Sequence, residues 1–501
     1  MSENIPYIIA ENGYYYVAYK EKAPVPEIVV SSKGVANGLS EEYNDGWDFG
    51  PDSYSSTSTS AIPYTQTSGI QEACNYAISS NISTIRCIGH FKFSNLNLNV
   101  GYNVMQGISE PVCIFIPLID ASTSPLVVLN IIGDGTEVGT YETNNANAMG
   151  YNTTQGTIFE ITDTSDYRTY DGVTNNFTNG VLFGTGNASS YYAHRTNVLI
   201  KFKDITFLSP NNGLPHTNID GSQFAGLEID NCTFGISMVD TQNITEPDTD
   251  AGVGVIFPAT GNLGISISKN IAVAGYYYGV IYASHFFADA LRIYNCHYGI
   301  LPLNGYHPAQ IFYLDIEMCV YNIVASEPNT QTTNPVGTAI YVLDIQKALP
   351  STDAWCVNKA DVYADGTISG ITFNLNVSFL IQNTATEGLQ PSTLAIDNVN
   401  PSNVQLNINI NSSIIESLTP AITTPSIPAS GSSSQNTNLY AVKVYVNGGA
   451  LTEIQISING TSYTVYSNST ASAVYEGFTL PAGASITLTY TTAPTWSWLP
   501  E

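Results

Sequence analysis

The sequence predicts an all-β chain wound into stacked coils, with one short helix ahead of the coils and a small β module behind them. Three observations carry this. Apolar residues alternate over many short segments, one four-position pattern recurs through the middle of the chain, and only the stretch around Gly69–Ile78 reads as an amphipathic helix. There Ile70, Ala73, Cys74, Ala77 and Ile78 fall on one helical face, and Thr67, Ser68 and Gly69 supply the start. An apolar helix face set directly before a run of strands is expected to plug the open first coil.

The repeat is read from four sets with internal spacing of two, three and two: Ile200, Phe202, Ile205, Phe207; Leu227, Ile229, Cys232, Phe234; Leu291, Ile293, Cys296, Tyr298; and Leu314, Ile316, Cys319, Tyr321. Ile265, Ile267, Ile271 and Val273 fit with one extra residue in the turn. Set starts are separated by 227−200=27, 265−227=38, 291−265=26 and 314−291=23 residues, about one coil of a parallel β-helix, the longest step holding a loop. Within a set, alternation marks strands with one buried face, and the three-residue step marks a tight turn. Asn231, Asn270 and Asn295 are expected in that corner, because asparagine tolerates left-handed backbone and its amides bond along a stack. Cys232, Cys296 and Cys319 are then expected in one interior column, as free thiols that pack like small apolar side chains.

Bulk composition narrows the function. There are 14 Lys plus Arg against 41 Asp plus Glu, a formal charge of −27, while charged residues are only 11% of the chain. Phosphate binding needs clustered cations, so nucleic acid is not the expected partner. A polar surface nearly free of lysine and arginine changes little in acid beyond neutralising its carboxylates, which suits an acidic exterior. No segment is long and apolar enough to span a bilayer, and Met1–Pro6 lacks the basic start of a signal peptide. Seven cysteines, with Cys74, Cys87, Cys113 and Cys356 completing the set, include no CxxC and no zinc-type spacing, so neither a metal nor another cofactor is expected.

Residues 1–60 read as a separate attachment segment and linker, 61–415 as the coiled body, 416–436 as a Pro/Ser/Gly linker, and 437–501 as a sandwich-like β domain. In that last domain Asn447-Gly448-Gly449 and Asn459-Gly460 are expected turns. Outward positions on the coils carry the candidate chemistry. Lys201, Glu228, Ser266, Arg292 and Asp315 are expected in one column, and Lys203, Asp230, Ser268, Tyr294 and Glu317 in the next. Glu228, Asp230, Asp315 and Glu317 then read either as an acid and base pair for glycoside cleavage or as members of an ion-pair ladder. Tyr276, Tyr277, Tyr278 and Tyr306, with Trp496 and Trp498 near the terminus, are candidate sugar-stacking rings, core packing being the other reading; Phe287 and Tyr313 lie in the same aromatic-rich region. Sequons at Asn152, Asn187, Asn243, Asn459 and Asn468 are candidate glycan acceptors.

Residues 67–93, with the helix and the strand run Ile85–Phe93, resemble the entry to right-handed parallel β-helix proteins of the pectate-lyase-like and tailspike superfamily. That resemblance implies a right-handed coil stack, a homotrimer, and attachment to a glycan or S-layer. The superfamily's Asn-Thr-Asp, Gly-His-Gly and Arg-x-Pro-x-x-Arg motifs are not found, which leaves its enzyme chemistry, a glycosidase or lyase acting on polysaccharide, as the alternative. Asn44-Asp45-Gly46 and Asp48-Phe49-Gly50-Pro51-Asp52 ahead of Gly69-Ile70-Gln71-Glu72-Ala73 resemble structural proteins of archaeal spindle-shaped viruses of hot acidic springs. This likeness implies a virion surface or tail location, with other tail proteins held through the N-terminal segment.

Overall fold

The computed structural model describes residues 8–9, 15–19, 27–31, 67, 69–103, 106–117, 119, 124–135, 156–174, 176–185, 196–210, 212–236, 252–258, 265–283, 285–303, 308–325, 337–347, 358–364, 371–384, 388–392, 394–397, 404–410, 424–437, 442–458, 460–481 and 483–500. Among them the chain is all-β apart from one helix, Ile70–Ser80. Two sheets of nineteen and ten strands dominate, and most of their pairings are parallel.

The chain visits these sheets in alternation. Val198–Lys203 and Ile205–Ser209 lie in the first sheet, Thr217–Asp220 in the second, Gly226–Asp230 and Thr233–Ile236 in the first, and Val253–Ile256 in the second. Neighbouring laps pair in register, with Ile200 beside Leu227, Phe202 beside Ile229 and Phe207 beside Phe234, as the repeat predicts. Because parallel pairing brings equivalent positions together, side chains stack in columns through one core. One column runs Phe91, Phe159, Phe207, Phe234, Val273, Ile293, Ile316, Ile345. In the second sheet Gly254, Gly279 and Gly299 stack, since a Cβ at Gly279 would lie 2.5 Å from the Gly299 carbonyl oxygen.

The expected helix forms, burying Ile70, Ala73, Cys74 and Ala77 in the main core. It also closes a strand edge. Gln71 accepts from the Phe115 backbone N–H at 2.6 Å and donates to its carbonyl at 2.8 Å, so one side-chain amide satisfies what a neighbouring strand would otherwise satisfy. Glu27–Ser31 pairs in parallel with Thr84–Ile88 and buries Ile28 and Val30, so this strand belongs to the first sheet rather than to a detached segment.

The register departs from expectation at two places. Leu227 pairs with Ser266 and Ile229 with Ser268, which buries both serines and turns Ile267 outward. A one-residue slip flips every side chain, and here the corner sets the phase. Asp204, Asn231 and Asn270 all adopt left-handed φ values of 55°, 50° and 51°. They form a ladder in which Asn231 donates to Asp204 at 2.7 Å, Asn270 to Asn231 at 3.0 Å, and Arg292 to Asn270 at 2.7 Å. Asn270 therefore stands on Asn231 with no room for an extra residue.

The second departure separates the thiols. Leu291 pairs with Ile271 and Ile293 with Val273, so the later sets are shifted by one strand segment from the earlier ones. Cys296 and Cys319 stack at the corner leading into the second sheet, the Cys296 N–H reaching Cys319 Sγ at 3.4 Å. Cys232 instead sits at the corner inside the first sheet, its carbonyl accepting from Ala272. The spacing of two, three and two marks any strand, left-handed corner and strand. The fold has two kinds of such corner, and Asn295 and Met318, with φ of 48° and 53°, belong to the second. From Phe286–Tyr294 onward one nine-residue strand replaces the two short strands of the first sheet, and the first kind of corner disappears. The six described cysteines are all buried free thiols, and Cys356 lies outside the described residues.

Toward the C-terminus Ser433–Gln435, Val442–Ile458, Thr461–Leu480, Ser485–Thr492 and Thr495–Pro500 form one connected five-stranded antiparallel sheet with its own apolar core. Gly460, with φ of 78°, falls at the expected turn between Val442–Ile458 and Thr461–Leu480. Gly448 and Gly449 instead mark an irregularity within the long strand Val442–Ile458, where the register shifts between Gly448 and Leu451. The stretch expected as a linker docks on this module from Thr424 onward. Pro425 and Pro428 carbonyls accept from Trp496 and Tyr490, and Asn436 is buried with its amide on the Leu480 carbonyl.

Candidate functional site

The parallel columns sort the four candidate carboxylates into two groups. Glu228 lies between Lys201 and Lys269, at 2.8 and 2.7 Å, and Asp230 faces Lys203 at 3.6 Å. Burial alone would raise the Glu228 carboxyl, but the bonds and charge of the two lysines outweigh it and hold it below its ordinary value. This is the ion-pair ladder, with Lys269 in the place expected for Ser268. Asp315 and Glu317 are three strands away in the same sheet and three to seven residues further along, roughly 20 Å at ordinary strand spacings. The four carboxylates therefore form no single acid and base site.

Asp315 and Glu317 have other neighbours. Strand pairing places Arg292, Asp315, Asp344 and Phe379 side by side, with Tyr294, Glu317 and Gln346 in the column two residues on. Tyr294 Oη donates to Asp315 at 3.4 Å and Tyr313 Oη to Asp344 at 3.1 Å. Half-burial, then the charge of Asp344, raises the Asp315 carboxyl. Burial, then Asp315, pushes Glu317 up to about 7. Asp344 is raised by burial as well.

Aromatic rings flank this acidic row. Phe312 and Tyr341 stack at 5.0 Å and 23° on adjacent strands, each more than 40% exposed, and Phe287 packs on Phe312 at 5.1 Å. Phe379, 48% exposed, borders the other end. Exposed stacked rings on a regular sheet leave apolar faces in water, while carboxylates and tyrosine hydroxyls beside them offer directed hydrogen bonds. Phe312, Tyr341, Asp344 and Phe379 were not among the candidates drawn from sequence. For the first three the signal was the spacing of Ile340, Leu343 and Ile345, which repeats that of Ile311, Leu314 and Ile316 and sets Tyr341 beside Phe312 and Asp344 beside Asp315, whereas Phe379 reaches Asp344 only through a register shift.

The ring candidates drawn from sequence lie elsewhere. Tyr276 is fully buried, its hydroxyl donating to the Gly235 carbonyl and accepting from Asn218. Tyr277 is buried against His297 at 4.5 Å, and Tyr278 lies buried between Phe177 and Tyr298. Their aromatic positions follow the corner into the second sheet, where rings stack on one another rather than face solvent. Trp498 is 3% exposed in the C-terminal core, and Trp496 is half-buried beside it, edge-on at 5.4 Å with its N–H on the Pro425 carbonyl. Asn468 is exposed on its strand, with its amide bonded to Ser472. Tyr306, Asn152, Asn187, Asn243 and Asn459 lie outside the described residues. Among the described residues no three His, Cys, Asp or Glu side chains group as metal ligands, and no helix is long and apolar enough to cross a membrane.

Glu317 gives the acidic row a testable electrostatic signature. Its folded-state pKa lies above the unfolded value, so the folded state binds the proton more tightly and stability falls as pH rises from about 4.5 to about 7. Glu317→Gln is expected to match the wild type in melting temperature at pH 4 and to exceed it at pH 8. Equal melting temperatures at both pH values would show that Glu317 is solvated like a surface carboxylate.

Compared with known proteins, the chain matches no family model and no curated protein.

Proposed function

We propose that this chain is a fibre or tailspike subunit of a virion, built on a right-handed parallel β-helix, and that it attaches to glycan on a host surface through the side face around Phe312 and Tyr341. The exposed, stacked Phe312–Tyr341 pair beside Asp315, Asp344 and Glu317 carries the reading. Sugar rings bury C–H faces on aromatic planes while their hydroxyls donate to carboxylates, and a parallel sheet repeats both features at the strand spacing. The acidic composition and the resemblance of residues 44–77 support a virion of acidic surroundings; a homotrimer and tail partners for the N-terminal segment follow from the tailspike resemblance. The test is binding of the full chain to host surface polysaccharide on a glycan array. Phe312→Ala combined with Tyr341→Ala is expected to lower binding by a factor of about 5 to 150, from roughly 0.5–1.5 kcal/mol per ring. Undiminished binding by that double variant would move the attachment site off this face.

One observation favours a second reading, cleavage of the bound polysaccharide. Glu317, held protonated to about pH 7, has the property of a general acid, and Asp315 and Asp344 sit within a strand spacing of each other beside it. Release of oligosaccharides from the bound glycan by the wild type and not by Glu317→Gln would establish it; binding without release assigns the face to attachment alone.

A further inference from the structure

The strand Thr338–Lys347 lies in the first sheet and Ala360–Tyr363 in the second. Between them stands the most deeply buried ion pair among the described residues. Lys347 Nζ lies 2.7 Å from Asp361 Oδ2, with side chains 8% and 0% exposed. Strand pairing sets Asn322 beside Asp361, because Tyr321 pairs with Ala360 and Ile323 with Val362, and the Asn322 amide donates to Asp361 Oδ1 at 2.8 Å. The Ala395 N–H donates to Oδ2 at 2.7 Å. An amine nitrogen is therefore fixed against a carboxyl group that carries one N–H donor on each oxygen.

Two charges this far from water are held at a desolvation cost. Burial also raises the Asp361 carboxyl, which brings its neutral form within reach. Condensation of the pair removes both charges. We infer that Lys347 and Asp361 join as an intramolecular isopeptide bond, an amide between the two side chains that staples the first sheet to the second. A proton crosses the 2.7 Å contact from Nζ to Oδ2, leaving a neutral amine beside a neutral acid. The nitrogen lone pair attacks Cγ, and the Asn322 N–H stabilises the negative charge that develops on Oδ1. A second proton passes from nitrogen to Oδ2, the Cγ–Oδ2 bond breaks, and water leaves. The balance closes within the pair, since ammonium and carboxylate give amide and water with no further reactant. Fixed placement supplies the effective concentration that a free amine and a free acid lack. The two residues are 361−347=14 apart in sequence and enter different sheets, so no local spacing marks them.

The test is the intact mass of the folded full chain after prolonged incubation at pH 7, followed by tryptic mapping. The chain is expected to weigh one water less than its sequence. Trypsin cuts after Lys359, between the two residues, so the fragments carrying Lys347 and Asp361 are expected to remain joined after digestion. Lys347→Arg keeps the positive charge without the primary amine, and is expected to show the full sequence mass and separate fragments. A wild type that stays at the full sequence mass overturns the bond. So does a loss of water whose tryptic fragments separate, which marks a cyclised aspartate rather than a link between these side chains.

Discussion

Replacing Lys347 by methionine is expected to destabilise the chain by about 3–5 kcal/mol at neutral pH, because it leaves a carboxylate buried without its countercharge. Lys347 Nζ lies 2.7 Å from Asp361 Oδ2, with side chains 8% and 0% exposed. Asp361 also accepts from Asn322 at 2.8 Å and from the Ala395 N–H at 2.7 Å. Even with these partners burial raises its carboxyl above the ordinary value, so the pair is held against a desolvation cost rather than free of one. Without the lysine that pKa rises further. The folded state then binds the proton more tightly than the unfolded state, and stability is lost as pH climbs past about 4, the unfolded carboxylate range. The cost of Lys347→Met is therefore expected to be largest near pH 7 and to shrink toward pH 4, measured by urea unfolding. Adding Asp361→Asn should recover most of it at pH 7, since the amide keeps an acceptor and carries no charge. A cost that is the same at pH 4 and pH 7 would show that packing of the lysine stem, not the charge, dominates.

Much of this architecture was legible because strand alternation and corner chemistry are local. The 200–207 and 227–234 sets found their true register, as did the 291–298 and 314–321 sets with each other, since each strand declares its buried face every second residue. Joining the two groups failed for a physical reason: both kinds of corner impose the same backbone and the same spacing, so asparagine and cysteine mark a corner without saying which. The strand around Ser266 misled for a related reason. Hydrophobicity alone favours Ile267 inside, but the Asp204–Asn231–Asn270 ladder fixes the corner, and the strand takes the phase the corner allows. The exposed row was hidden because it depends on alignment between distant strands. Phe312 and Tyr341 become neighbours only when Ile311 pairs with Ile340. Tyr276 to Tyr278 have the composition of a binding platform, but composition does not report which way a ring faces at a corner.

Phe207→Ala carries the other large expected effect, about 3–5 kcal/mol for an interior phenylalanine whose space the core fills only in part. Its ring stacks on Phe234 at 4.8 Å and 5°, and meets Phe159 and Phe202 edge-on at 5.5 Å each. Because these partners belong to the adjoining laps Thr157–Ile161 and Thr233–Ile236 and to the preceding strand Val198–Lys203, the cavity opens between laps rather than within one. Stacked laps contact mainly their neighbours, so stability is expected to be a sum of local and neighbour terms rather than one all-or-none quantity. Hydrogen exchange on the variant should then lose protection first in those three segments, while Ala309–Glu317 and Thr338–Lys347, four or more laps removed along the same column, keep theirs. A uniform loss across both regions would mean that the parallel body unfolds as a single unit, and that the column of rings transmits the damage end to end.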